Sequence, residues 1–332
     1  MADYDDKVIA MRNEGKSYAD IAKKLGLTEK QVNHAVDRDR KKQKGKIKYE
    51  DIRSYTDEDI EAFIQATIEM QEKRETLNTK QVKTTITLED DKPIGIAYWG
   101  DWHIGGMGTD YGLFEQDLRK IRDTEGLYFI GSGDYKDNYI THVHPGSQYE
   151  QIIQPGMQDM AVKHYMKQLR EKALTLIRGC HDDWDMKSSN KDFIDTLCEI
   201  TNSVNLWHGG EVTLNVGETS YLWRCRHKFP FQSSLNLENA MRRINEFQGP
   251  CDVAAEAHLH NPYFIKRHLM GEYRIMLRTG SYKILDEYGQ KLAGYKGKHG
   301  IPVAILYPVK DRYGATVEFM DRAISMLKGL RS

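Results

Sequence analysis

No apolar run in this 332-residue chain approaches the roughly 20 residues a membrane-spanning helix needs, and its amino terminus is charged where a signal peptide would be apolar. The expectation is a soluble, cytoplasmic protein with no membrane partner. Cysteine is scarce: Cys180, Cys198, Cys225 and Cys251 are the four, and none belongs to a C-x-x-C pair. That spacing excludes a structural zinc finger, and reduced thiols suit the same compartment. Net charge is nearly absent, at −1, and internal repeats and low-complexity tracts are missing. What is there, with 39% hydrophobic residues, suffices for one α/β domain of ordinary size and a small helical appendage.

The near-zero charge hides an uneven distribution. Residues 1–48 hold 13 Lys/Arg against 8 Asp/Glu, net +5, which leaves −6 for the remainder. Residues 7–13 follow a helical pattern broken at Gly15, and residues 17–27 read as a helix and tight turn. Thr28, a good N-cap, opens a third helix over 29–36. Ile21, Ala22, Leu25, Leu27 and Val32 fall at the core positions of this three-helix pattern. The pattern resembles the helix-turn-helix of resolvases and sigma factors. That resemblance implies a third helix lying in a major groove, with Glu29, Lys30, Asn33, His34 and Asp37 toward the bases. Arg38, Arg40, Lys41, Lys42, Lys44, Lys46 and Lys48 follow, with Asp39 as the one acid among them. Phosphate contacts are the natural work of such a run, so DNA is the expected partner. The alternative is a three-helix protein-interaction domain and a solvated linker.

The expected domains are 1–40, the helix-turn-helix; 41–80, a basic linker and connecting helix; and 81–332, the larger domain. The connecting helix starts near Thr56 and carries Ile60, Phe63, Ile64, Thr67, Ile68 and Met70 on one stripe. It either packs on the larger domain or pairs with a second copy in a homo-oligomer.

Four apolar runs, at 94–99, 127–130, 173–177 and 252–255, read as buried strands. Each runs into a motif rich in His and Asp: Asp101-Trp102-His103, Gly133-Asp134-Tyr135-Lys136-Asp137-Asn138, Gly179-Cys180-His181-Asp182 and Ala257-His258-Leu259-His260. Parallel strands of an α/β sheet end at one rim, where ligands bind, so residues distant in sequence can meet there. Imidazole and carboxylate suit divalent metals, and two such ions about 3.5–4 Å apart provide the charge neutralisation and the activated water that phosphate-ester hydrolysis needs. Asp101, His103, Asp134 and His260 can make one site, with Asp134 able to bridge. Asp134, His258, His227 and position 180 can make the second. His208 competes with His227 as the lone histidine, and reads as a turn residue. His258 and His260 reach different metals only if the backbone turns between them.

Over roughly residues 92–310, the order and content of these motifs resemble the calcineurin-like metallophosphoesterase superfamily, whose pattern is D-x-H, G-D-x-x-D/N, G-N-H-D/E, a lone His and G-H-x-H. The resemblance implies a four-layer α-β-β-α sandwich, here carrying a small all-α helix-turn-helix domain. It also implies a backbone turn at His258, two divalent ions, and a catalytic role for His181 at the scissile ester, oriented by Asp182 or Asp183. Mn²⁺ leads among the ions, with Zn²⁺ or Fe²⁺ as alternatives. Two positions depart from the pattern. Cys180 replaces Asn: as a thiolate it would favour Zn²⁺ or another soft ion, whereas as a thiol it is a poor ligand. Ala257 replaces Gly, at a cost of about 1 kcal/mol if that residue needs a positive φ.

Helices expected over 114–122, 157–171, 192–201 and 237–247 alternate with the strands, and paired strands near 211–226 and 263–278 suggest antiparallel additions. Asp137 and Asn138 either support the site or cap the next segment. His142 and His144 read as a substrate-facing loop or plain surface. The segment from Arg278 to Lys283 can hold a phosphate or sugar, or form a strand and turn. Because this scaffold serves several substrates, the arm decides: the leading expectation is a DNA-processing nuclease or phosphodiesterase of bacterial or phage-infected cells, similar to repair-complex nucleases and of phage-like architecture. The alternatives are a phosphodiesterase or phosphatase acting on nucleotides or small molecules, and a catalytically degenerate DNA-binding regulatory or structural protein.

Overall fold

The computed structural model describes residues 4–44, 55–78, 82–140, 147–284, 297–309, 311 and 313–332. Contacts divide the chain into two units, Met1–Thr76 and Leu77–Ser332. His142 and His144, and the basic residues Lys46 and Lys48, lie outside the described residues, as does the side chain of Lys44.

In the first unit, α1 (Asp5–Asn13), α2 (Tyr18–Leu25) and α3 (Glu29–Lys44) bury Val8, Met11, Ile21, Ala22, Val32, Ala35 and Val36 among themselves, with Leu25 and Leu27 packed alongside. Local chemistry sets the boundaries. Ser17 accepts the Asp20 amide at 3.2 Å, and Gly26 ends α2 at φ +64°, a left-handed geometry that glycine adopts without penalty. Thr28 and Gln31 then bond reciprocally, Thr28 N to Oε1 at 2.8 Å and Gln31 N to Oγ1 at 3.3 Å, which forms a capping box. The third helix runs eight residues past its expected end at 36, so the first part of the basic run is helical. The second unit is preceded by α4 (Asp57–Asn78), capped by Thr56 through the Asp59 amide at 3.2 Å. Ile60, Phe63, Ile64, Ile68 and Met70 on it are exposed.

The second unit holds two six-stranded sheets. One runs β12 (Thr316–Phe319), β11 (Pro302–Leu306), β2 (Ile94–Trp99), β3 (Leu127–Gly131), β4 (Ala173–Leu176), β5 (Val204–Asn205), with β2 to β5 parallel. The other runs β1 (Val82–Leu88), β6 (Gly209–Val216), β7 (Thr219–Arg226), β8 (Val253–Glu256), β10 (Glu272–Arg278), β9 (Tyr263–Leu269). In it, β6–β7 and β9–β10 are antiparallel, while β7, β8 and β10 are parallel.

Alternation along each strand builds the layers. Ile94, Ile96 and Tyr98 of β2 meet Val212, Leu214, Trp223, Val253 and Ile275 of the opposite sheet. Ala97 and Trp99, on the other face of β2, pack with α5 (Tyr111–Asp123), α6 (Pro155–Gln168), α8 (Phe193–Thr201) and α10 (Met320–Arg331) through Phe114, Val162, Leu197 and Leu327. On the far side of the second sheet, Ala240 and Met241 of α9 (Asn239–Phe247) cover Ala254 and Met276. The result is a four-layer α-β-β-α sandwich. One expectation changes: β8 belongs to a different sheet from β2, β3 and β4, so the four motifs converge because both sheets end at one rim.

Candidate metal centre

Each motif follows its strand within a few residues, and the loops there are nested on glycine. A Cβ on Gly179 would sit 2.2 Å from the Asp134 nitrogen, and one on Gly133 would sit 2.4 Å from the Gly179 nitrogen. Only glycine lets these two turns cross so closely. The loops are also strained. Asp101, His103, Asp134, Asn138, His258 and His260 have φ of 49°, 48°, 52°, 51°, 77° and 49°, a region that costs non-glycine residues about 1–3 kcal/mol each. Fixed contacts hold them there: Ser281 Oγ donates to the Asp101 carbonyl (2.9 Å), Thr109 Oγ1 to that of His103 (2.8 Å), and the Lys298 amide to that of His260 (2.8 Å). Ala257 is not among the positive-φ residues, so its methyl carries no such cost; the turn falls on His258 and His260.

That turn sends the two histidines to different groups. Asp101, His103 and His260 form one set of donors within 4.8 Å of one another, and Cys180, His227 and His258 form another. Asp134 lies between, with Oδ2 3.2 Å from His227 Nε2 and 3.9 Å from His103 Nε2. His260 Nε2 is 3.1 Å from His103 Nε2 and 3.7 Å from Asp101 Oδ1, and Cys180 Sγ is 3.7 Å from His258 Nδ1. His208 stays outside every such group among the described residues: its side chain is largely exposed, and its Nε2 is 4.0 Å from Asp183.

The hydrogen bonds set which ends of the rings face inward. His227 Nδ1 donates to the Ser132 carbonyl at 2.8 Å, and His103 Nδ1 to Asp137 Oδ1 at 3.1 Å. Each Nε2 is thereby left facing the cluster, the orientation typical of metal-binding imidazoles. His227 Nε2 and Asp101 Oδ1 are fully buried without a hydrogen-bond partner, although His227 Nε2 is within ion-pair distance of Asp134. A proton or a cation has to lie between those two groups. Such a donor set fits divalent ions.

The electrostatics agree. Burial drives His258 down to about 3 and His181 to about 4, and takes His260 well below the imidazole range, so these rings are neutral, the form that ligates. Burial, with Asp134 adding to it, pushes Asp101 up to about 7. Burial would raise Asp134 too, but His227, His181 and His103 outweigh it and hold that carboxyl well below the usual range. In return, Asp134 holds His227 well above the usual imidazole range, against the effect of burial.

Asp182 does not orient His181. Its buried carboxylate accepts the amides of Asp134 (2.7 Å), Gly179 (2.9 Å) and Tyr135 (3.3 Å), tying two turns together. Asp183 instead faces Arg178 and Lys187. The His181 ring is held by the Asp137 carbonyl, 2.5 Å from Nδ1, and by Trp184, whose ring centroid is 4.2 Å away. Asn138 donates to the His181 carbonyl at 2.9 Å. We expect Asp182→Ala to lower unfolding free energy by about 3 kcal/mol, because three buried amides lose their acceptor. An unchanged urea midpoint would contradict this role.

Spacing did not reveal Trp184, Ser132 or the pairing of Lys283 with Asp137, in which Nζ lies 2.8 Å from Oδ1. Arg278 is not a phosphate clamp: it is fully buried and bound to Glu256. In the first unit, Lys30, Asn33, His34, Arg40, Lys41 and Lys42 are exposed on α3. Arg38 is engaged within the bundle, by two bonds to Asp5 of α1 at 2.6 and 2.9 Å.

No protein-family model matches the chain, and neither does any curated protein. Among solved structures it is similar to Vps29 of Chaetomium thermophilum, at 15% identity and TM-score 0.34, over 68% of this chain and 95% of that one. A metallophosphoesterase of Sphaerobacter thermophilus shows 14% identity and TM-score 0.33, over 71% and 95%. Vps29 of Entamoeba histolytica, solved with Zn²⁺, shows 10% and 0.33, over 68% and 98%. Likeness this remote leaves the chemistry to the residues themselves.

Proposed function

We propose that the second unit is a metal-dependent phosphoesterase of the calcineurin-like type, cleaving phosphodiester bonds of DNA that the helix-turn-helix arm brings to it. The observation that carries this reading is Asp134 between two donor groups at one rim. Asp101, His103 and His260 would hold one ion and Cys180, His227 and His258 the other, with Asp134 shared. Two divalent ions, when bound, neutralise phosphoryl oxygens and make water a nucleophile near neutral pH. His181 serves the leaving oxygen. With Nδ1 committed to the Asp137 carbonyl, Nε2 is the end left for substrate. Burial keeps that ring neutral; a phosphate anion beside it favours the imidazolium, which then has a proton to give. Trp184 and Asn138 fix its position.

The DNA assignment is supported by the exposed Lys30, Asn33, His34, Arg40, Lys41 and Lys42 on α3. Contacts to about five phosphates would give a slope of about −4.5 for log affinity against log salt. We expect that slope in fluorescence anisotropy with a labelled duplex, and its loss on deleting residues 1–48. Retention of affinity in the truncated chain would remove the arm from substrate delivery.

The deciding experiment is hydrolysis of bis-(p-nitrophenyl) phosphate and of labelled duplex with Mn²⁺, with Zn²⁺ and after chelation. Metal-dependent cleavage of both supports the proposal, and cleavage of the small ester alone favours a nucleotide or small-molecule substrate. No turnover under any metal would mean a retired site. Independently of turnover, ions at about a hundredfold their Kd should stabilise the fold by about 2.7 kcal/mol per site, and EDTA should reverse the shift in calorimetry. Identical melting with and without metal would show that the rim binds none.

A further inference from the structure

We infer that the metal centre is chemically asymmetric: the Cys180, His227 and His258 half selects a thiophilic ion, Zn²⁺ before others, more strongly than the Asp101, His103 and His260 half, which is left to a harder ion such as Mn²⁺ when Zn²⁺ is limiting. The inference rests on the two-metal reading above and adds an assignment of each ion to its own half.

The donors differ in kind. One half offers a sulfur and two imidazoles, and the other two imidazoles and a carboxylate; Asp134 is common to both. Every nitrogen, oxygen or sulfur site prefers Zn²⁺ to Mn²⁺, and a thiolate donor widens that preference while a carboxylate narrows it. Geometry points the same way. A tetrahedral zinc, with Zn–S about 2.3 Å and Zn–N about 2.0–2.1 Å, separates those two donors by about 3.6 Å. The Cys180 Sγ to His258 Nδ1 distance is 3.7 Å. The third donor is independently prepared: His227 is 3% exposed, its Nδ1 is committed to the Ser132 carbonyl, and its Nε2 has no hydrogen-bond partner. Asp134 Oδ2, 3.2 Å from that nitrogen, completes a four-donor set. Cys180 would ligate as thiolate, releasing its proton to solvent. The other cysteines take no part: Cys198, Cys225 and Cys251 are buried and belong to none of the donor groups found among the described residues. Any sulfur–metal signal therefore reports on Cys180.

The test uses the full chain without substrate. With one equivalent of Zn²⁺ and excess Mn²⁺, elemental analysis of the parent should give one of each per chain, with Cys180 protected from alkylation. Cys180→Asn should weaken Zn²⁺ binding by about a hundredfold while moving Mn²⁺ affinity less than about threefold. With Co²⁺ as the probe, the parent should show a near-ultraviolet sulfur-to-cobalt band that Cys180→Asn lacks, with the visible cobalt absorption retained. If that variant does not fold, alkylation of the parent decides: Zn²⁺ should protect Cys180 from iodoacetamide at concentrations where Mn²⁺ does not. Bound cobalt without the sulfur band, equal Zn²⁺ affinity in parent and variant, equal protection by both ions, or no bound metal would each overturn the inference. Turnover with a symmetric, sulfur-free centre would leave the phosphoesterase reading standing and sink only this one. An asymmetric centre without turnover would do the reverse.

Discussion

Asp134→Asn is expected to abolish hydrolysis, with kcat/KM falling by about 10³-fold or more, while the fold persists. Asp134 lies between the two donor groups, with one oxygen 3.2 Å from His227 and 3.9 Å from His103. Its other oxygen accepts the His181 amide at 2.8 Å, so the same side chain ties the His181 loop to the centre. The amide variant keeps the shape and an acceptor but removes the charge that would offset the proposed cations. Turnover and bound metal should therefore fall together, with little change in circular dichroism. Retained turnover with one metal lost would show that a single ion suffices, and retention of both ions would remove Asp134 from the bridging role.

The second large effect concerns the fold beneath the site. Arg278→Met should lower stability by about 3–5 kcal/mol, because Glu256 is left charged and buried without its partner. For a unit of this size that is about 10 °C in the thermal midpoint. Both residues are fully buried and sit opposite each other on β10 and β8, with Arg278 Nε 2.8 Å from Glu256 Oε1. The guanidinium also donates to the carbonyls of Ser233 (3.2 Å) and Leu237 (3.0 Å), and Gln232 Nε2 reaches Glu256 Oε2 at 2.9 Å. One ion pair thus anchors the loop after His227 and the strand end that leads to His258. The double variant Arg278→Met with Glu256→Leu should recover much of the lost stability, since no unpaired charge remains. If the single variant melts like the parent, the loop is held by other contacts.

The strands that lead to the site were visible in the sequence because they are continuous apolar runs. The run at 94–99 is fully buried along β2, and those at 127–130 and 173–177 agree with β3 and β4 to within a residue. The strands β1, β11 and β12 went unread. β1 alternates between half-buried and exposed positions, a pattern much weaker than a buried run. The partition into two sheets was equally hidden, because β8 is as apolar as β4 and nothing local says which sheet a buried strand joins.

At the site, the sequence by itself determined which residue types are present and that each follows a strand. His, Asp and Cys are few, polar and placed just after apolar runs, and that is a local property. Only the tertiary structure decided their partners. It set Asp182 on the backbone amides and Trp184 on the His181 ring, and it sent His258 and His260 to opposite halves. It also committed Arg38 to Asp5 and Arg278 to Glu256. The physical reason is that a buried polar group must find a partner of the right kind within about 3 Å. That partner can lie anywhere along the chain, and only the packed sheets bring it within reach.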